Sequence, residues 1–376
     1  MPGLLPDVDP DGLLEYSVVY TDRALNHMSA RFQGVMRDIS AVLRDAYGAS
    51  AVAVVPGSGS FGMEAVARQF ATGRRALVIR NGWFSFRWSQ LLDMGSIPAA
   101  TTVLQARRQG EGAQSPYAPP PIEEVVAAIE RGKPEVVFAP HVETASGMVL
   151  PHDYLRAVGE AARRVDALFV LDCIASGAVW VDMRDCAVDV LISAPQKGWS
   201  GSPCAAFVML GERAARRIAD TTSTSFACDL KKWLQIMQTY ENGGHAYHAT
   251  LPTDALQRTR DVMRETQRAG FERLCQAQWK LGTAVRAMLE RRGFPPVAAP
   301  GFQAPGVVVS YTTDPELHTG RKLLAQGVQI AGGVPLQCGE GPEFKTFRIG
   351  LFGLDKLQDV DGAVQRLERA FDAALA

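Results

Sequence analysis

AVDVLISAPQKGWSGSPCAAFVML, residues 187–210, is the stretch on which the reading of this chain turns. Val188 to Ser193 is a short, β-branched apolar run and reads as a buried strand. Pro195 ends it, because proline has no N–H to give to a ladder. Lys197 follows in a turn with Gly198, Ser200, Gly201 and Ser202; Pro203 closes the turn, and a second apolar run goes from Cys204 to Leu210. One lysine is thus held on a tight loop between two buried strands. Apolar surroundings penalise its ammonium form and lower its pKa. That is the state in which an amine attacks a carbonyl and forms a Schiff base. A loop lysine that only snorkels to solvent is the ordinary alternative, and the rest of the chain must decide between the two.

Size and composition narrow the classes. At 376 residues the chain is long enough for two domains, or one large domain with an appendage. Apolar residues make up 47% and charged residues 21%, as in globular proteins with a full core. A net charge of −1 gives no attraction to nucleic acid or to an anionic membrane. No apolar run is long enough to span a bilayer, and MPGLLPDVDPDG lacks the parts of a secretory signal. The six cysteines show no CxxC and no metal spacing, so they read as reduced core residues of a cytoplasmic protein. His245 and His248 have no third ligand nearby, and no metal site is expected.

Strand-like and helix-like segments alternate through the first two thirds, which predicts an α/β fold with a mostly parallel sheet flanked by helices. Ala51 to Val55 is a strand, followed by Pro56-Gly-Ser-Gly-Ser-Phe-Gly62 and a helix. Glycines that let the backbone approach, serine hydroxyls and a helix N-terminus together make an anion cradle. Gly57-x-Gly59-x-x-Gly62 also fits a dinucleotide fingerprint, with Arg80 available for a 2′-phosphate, so an NADP-dependent oxidoreductase is a rival reading. That reading gives no task to Lys197, Asp172 or Arg348. The next strand, Ala76 to Ile79, leads into Asn81-Gly-Trp-Phe, where Trp83 can stack on a flat ring. Ala167 to Leu171 is a strand ending at Asp172. A long helical stretch opens at Thr253 and breaks near Gly270; strands near 307–311 and 346–349, with helices near 315–325 and 355–375, complete a small α+β domain. The expected division is an N-terminal arm at 1–28, a large domain at 29–255, and a linking helix with a small domain at 256–376.

Taken together, Lys197, Asp172, the cradle and an aromatic after the neighbouring strand would emerge on one edge of a parallel sheet. Pyridoxal 5′-phosphate (PLP) needs this set: a lysine for its aldehyde, a carboxylate for its pyridinium nitrogen, an anion site and a stacking ring.

Here the sequence resembles the class V aminotransferases of the fold-type I PLP enzymes, nearest to the alanine/serine–glyoxylate or pyruvate aminotransferases. The resemblance runs from about Ser29 to the C-terminus and implies their seven-stranded-type sheet. Ser193-Ala-Pro-Gln-Lys197 matches the Schiff-base segment, so Lys197 is implied as the covalent cofactor lysine, with Gln196 near the phosphate. Asp172 matches the pyridinium partner, Ile174 the apolar residue under the ring, and Trp83 the stacking aromatic. Ser58, Gly59 and Ser60 match the phosphate loop. His141-Val-Glu-Thr-Ala-Ser-Gly147 matches a loop in which Thr144 would bond the cofactor's 3-oxygen. Tyr247-His-Ala-Thr250 matches a stretch whose Tyr247 and Thr250 would reach the phosphate of a partner subunit, implying a homodimer with shared sites. Thr346-Phe-Arg-Ile-Gly350 matches a motif in which Arg348 would grip the substrate carboxylate, which suits a guanidinium fork. The implied reaction moves an amino group from a small amino acid to a 2-oxo acid. Aminophosphonate or pyridoxamine–pyruvate transamination, or a lyase reaction, is possible on the same residues. One departure is the arm, Glu15-Tyr-Ser-Val-Val-Tyr-Thr-Asp22, which lacks the family's Gly-Pro turn, so that Tyr16 or Tyr20 is expected to project into the pocket instead.

Overall fold

The computed structural model describes residues 13–376; the first twelve residues of the expected arm lie outside the described residues. The main sheet has seven strands. In spatial order they are Ala51–Pro56, Ala205–Leu210, Val190–Ser193, Leu168–Asp172, Val136–Pro140, Arg75–Arg80 and Ala100–Gln105. Ala205–Leu210 runs antiparallel to both neighbours, and every other pairing is parallel. All strands but Ala205–Leu210 therefore end on the same edge. Inner strands such as Leu168–Asp172 are buried throughout, as expected where helices cover both faces. The terminal strand Ala100–Gln105 is partly exposed along its length.

The lysine loop joins Val190–Ser193 to the antiparallel strand. The first of these strands begins two residues later than the apolar run predicts. Ala187 turns into the left-handed region at φ +54°, and the Val188 N–H is spent on the Met183 carbonyl at 2.8 Å.

The helices Thr253–Ala269 and Phe271–Glu290 meet at Gly270, whose φ of +88° suits glycine. Beyond them a three-stranded antiparallel sheet has Thr346–Gly350 at its centre, between Val307–Tyr311 and Ala331–Gly332. Leu281, Val285, Phe347 and Phe371 belong to a second apolar core under this sheet. The helix expected near 315–325 is two short ones, Pro315–His318 and Arg321–Leu324, separated where Gly320 takes φ +78°. That expected near 355–375 is also two, Leu354–Gln358 and Val360–Leu375, because Asp359 leaves helical geometry and caps the Gly362 N–H at 3.1 Å.

No helix of the described residues is long and apolar enough to cross a membrane. Among them no group of three or more His, Cys, Asp or Glu side chains is placed to hold a metal ion. All six cysteines are free thiols.

Candidate active site

A cavity of about 310 Å³ opens at the common strand edge. Its walls include Ser58, Gly59, Ser60, Thr144, Asp172, Ile174, Gln196 and Lys197, and also Met63, Phe84, Arg87, Val142 and Ala175. The sheet explains the convergence. Ser58 follows the strand Ala51–Pro56, Thr144 follows Val136–Pro140, Ile174 follows Leu168–Asp172, and Lys197 follows Val190–Ser193.

One end of the cavity is the N-terminus of the helix Gly59–Phe70. Ser58 sits at its N-cap in extended geometry, but its hydroxyl makes no capping bond. Gly59 and Ser60 are first-turn residues, so their N–H groups have no intrahelical acceptor. Gly59 is also closely packed. A Cβ there would lie 2.5 Å from Ile174 Cδ1, so the cradle and the floor beneath the ring site are packed against each other.

Asp172 is 8% exposed and accepts a bond from the Ile174 N–H at 2.9 Å. Burial pushes its carboxyl up to about 7, partly opposed by that bond and by the charges of Arg87 and Lys197. Behind it the His141 N–H donates to the Asp172 carbonyl at 2.8 Å, and His141 Nδ1 lies 2.7 Å from Ser176 Oγ. Burial brings the His141 ring down to about 4, so it is neutral.

Burial lowers the pKa of Lys197, and the positive charge of Arg348 lowers it further, against the pull of Asp172. Its Nζ stands 5.1 Å from the Phe352 ring centre. The loop that carries it is anchored by Trp199, which is fully buried between Tyr47, Trp180 and Phe271. Any Cβ at Gly198 would collide with the Gly177 carbonyl, so this turn is pressed on the loop after Asp172.

The helix Trp83–Met94 supplies the opposite wall. Its N-terminus is held by Glu143, a fully buried carboxylate that accepts from the Phe84 N–H (3.2 Å), the Ser85 N–H (2.8 Å), Ser85 Oγ (2.7 Å) and the Ala145 N–H (2.9 Å). Burial raises the Glu143 pKa, and these donors oppose it.

The structure does not bring Trp83 to the cavity. Phe84, one position on, lines it. The reason is helical register: Phe84 and Arg87, three apart, share the cavity face, while Trp83 and Phe86 pack together on the neighbouring ridge with ring centres 5.8 Å apart. The sequence reading does not single out Phe84 or Arg87. The i, i+3 pair was the available signal. Arg348 stands nearby rather than on the wall: its Nε donates to the Gly332 carbonyl at 2.8 Å and its guanidinium lies 5.5 Å from the Phe84 ring centre.

Tyr247 and Thr250 are also absent from the cavity of their own chain. They are exposed, with their hydroxyl oxygens 3.2 Å apart. Tyr16 is 87% exposed, and the Tyr20 hydroxyl donates to the Leu251 carbonyl at 3.1 Å; neither arm tyrosine lines the cavity. Arg80 is committed to Gln337 and Ser89 and lies 4.6 Å from the Phe86 ring centre, so it is not offered to a 2′-phosphate.

The residues present fit PLP. A carboxyl with a free oxygen, the unpaired N–H groups of the helix N-terminus with the Ser58 hydroxyl, an apolar floor and an aromatic wall line one cavity beside an amine with lowered pKa. Gln196 on the wall carries a buried amide oxygen with no partner.

No family model matches the sequence. The chain is 26% identical over 350 residues to a protein named the small subunit of a soluble hydrogenase from Synechococcus, covering 92% of this chain and 86% of that one. It is 25% identical over 352 residues to alanine–glyoxylate aminotransferase 1 of Saccharomyces cerevisiae (88% and 86%). It is 26% identical over 358 residues to 2-aminoethylphosphonate–pyruvate transaminase 2 of Paraburkholderia xenovorans (93% and 90%). The crystal structure of an alanine–glyoxylate aminotransferase from Nostoc superposes with a TM-score of 0.79 at 23% identity, over 93% of this chain and 89% of that one. Homologues and structural neighbours of this chain thus include proteins named as aminotransferases.

Proposed function

We propose that this chain is a PLP-dependent aminotransferase that moves an amino group between a small amino acid, such as alanine or serine, and a 2-oxo acid, such as glyoxylate or pyruvate. The observation that carries this is one cavity holding a lysine of lowered pKa, a buried carboxyl and a helix N-terminus with unspent donors. The transaminase names of the relatives support the reaction class.

When bound, PLP supplies an electron sink for the bond broken at the substrate's Cα. Every other task falls to this chain. Lys197 Nζ would hold the cofactor covalently, and once the substrate's amine displaced it, the freed neutral amine would be the base at the substrate Cα. Asp172 would hold a proton on the ring nitrogen. Burial makes its carboxyl costly to ionise, and a cation at bonding distance restores the charged form. Phe84 and Ile174 would take the two faces of the ring, Thr144 the 3-oxygen, and Ser58, Gly59, Ser60 and Gln196 the phosphate. Arg348, which has no carboxylate partner among the described residues, takes the substrate carboxylate.

The exposed Tyr247–Thr250 pair belongs to the same reading. In a homodimer it would complete the partner's phosphate site, and six unpaired thiols suit a cytoplasmic protein.

The test is a matrix of amino donors and oxo-acid acceptors on the PLP-loaded protein, with product analysis. Alanine or serine with glyoxylate or pyruvate should turn over fastest. Preference for 2-aminoethylphosphonate or pyridoxamine would move the substrate within the class, and bound PLP with no transfer from any donor would refute the proposal.

A further inference from the structure

The phosphate cradle lacks a cation of its own. Ser58, Gly59 and Ser60 offer hydroxyls and N–H groups, and the helix N-terminus adds about half a positive charge. A phosphate monoester carries about −1.5 to −2 at neutral pH. Among the residues that line the cavity only Lys197 and Arg87 are basic, and Lys197 must be neutral to act.

Arg87 is half-buried, and among the described residues it has no carboxylate partner. Its Nη1 donates to Ser60 Oγ at 2.9 Å. Its guanidinium lies 5.3 Å from the centre of the Phe84 ring, and that ring also has Arg348 at 5.5 Å. Two guanidiniums without an ion-pair partner thus flank one aromatic, Arg87 on the cavity wall and Arg348 beside it, with Asp172 and Glu143 acting on them only at longer range. A guanidinium taken partly out of water with no anion is costly, so each arginine is built for an anion that arrives from outside.

We infer that Arg87 is the cofactor-phosphate cation of this enzyme: it acts on the phosphate together with Ser60, and Arg348 is thereby left as the one cation for the substrate. Its consequence is a substrate class. With Arg87 committed to the phosphate, only one guanidinium faces the substrate, which suits donors carrying a single anionic group over dicarboxylic ones. The inference rests on the PLP reading above and deepens it.

The experiment is an equilibrium titration of apo-protein with PLP and, separately, with pyridoxal, which lacks the phosphate, read by the visible absorption of bound cofactor. Losing one charged hydrogen-bond donor should weaken PLP by roughly 10- to 100-fold in Arg87→Ala and leave pyridoxal within about twofold. Arg87→Lys should fall between, since an ammonium keeps the charge without the fork. PLP affinity unchanged in Arg87→Ala, or PLP and pyridoxal weakened equally, overturns the inference. If the alanine variant does not fold, Arg87→Met keeps the aliphatic stem against Phe84, and its PLP-to-pyridoxal ratio decides in the same way. Wild-type protein that takes up no PLP would instead sink the proposed function.

Discussion

Gly59→Ala tests whether the phosphate cradle and the ring floor are one packed unit. The new Cβ would stand 2.5 Å from Ile174 Cδ1, 3.0 Å from Cγ1 and 3.3 Å from Cγ2. The backbone does not object, because Gly59 is outside the left-handed region. Helix propensity even favours alanine, by about 1 kcal/mol in a helix interior and less in a first turn. Against this stands an overpacking cost of typically 1–3 kcal/mol. Because Ile174 faces the cavity, its side chain can relieve the clash by moving into the space a ring would fill. Folding stability of the apo-protein should therefore change little, by about 1 kcal/mol or less, while PLP affinity falls by roughly 5- to 100-fold, the overpacking cost reappearing when the ring displaces Ile174. Ile174→Val removes Cδ1, the atom in closest contact, and should restore most of the affinity in the double variant. Urea melts and PLP titrations of the four proteins complete the cycle. Wild-type affinity in Gly59→Ala, or no recovery in the double variant, would refute the coupling.

Phe84→Ala should weaken PLP by roughly 5- to 10-fold, the worth of an aromatic contact, while Trp83→Ala should leave PLP affinity within about twofold; the reverse order in a titration would restore Trp83 as the stacking ring. Asp172 makes a pH prediction. Its folded pKa of about 7 lies above the ordinary 3.8, so the unfolded chain loses that proton first. Apo-protein stability should accordingly fall as pH rises from about 4 to 7, by at most about 4 kcal/mol. Asp172→Asn removes that part of the slope, and parallel stability–pH curves for the two proteins would contradict the assignment. Arg348 lowers the Lys197 pKa through its charge. Arg348→Gln should move the pH midpoint of covalent PLP capture upward and raise the KM of the amino donor; an unmoved midpoint would separate the two groups.

Much of the site was legible because strand ends announce themselves. Asp172 and Lys197 each follow an apolar, β-branched run, and a parallel sheet delivers such ends to one edge. The glycine–serine loop was legible for the same reason. Which of the neighbours Trp83 and Phe84 lines the cavity is not legible in the sequence, because a helix turns about 100° per residue and the answer depends on where the helix begins. Glu143 was passed over as part of a polar loop; that it holds the N-terminus of a distant helix is a contact between segments about sixty positions apart, which periodicity does not carry. Trp199 was hidden within its motif: its role is packing under the loop, among Tyr47, Trp180 and Phe271 from three other segments.

The central claim is that the amine at position 197 holds PLP covalently. Incubation of the protein with PLP, reduction with borohydride and peptide mass mapping tests it directly. The account predicts one pyridoxyl label per chain, on Lys197, and none in Lys197→Ala. A label on another lysine, or no label on a protein that still transaminates, would contradict it.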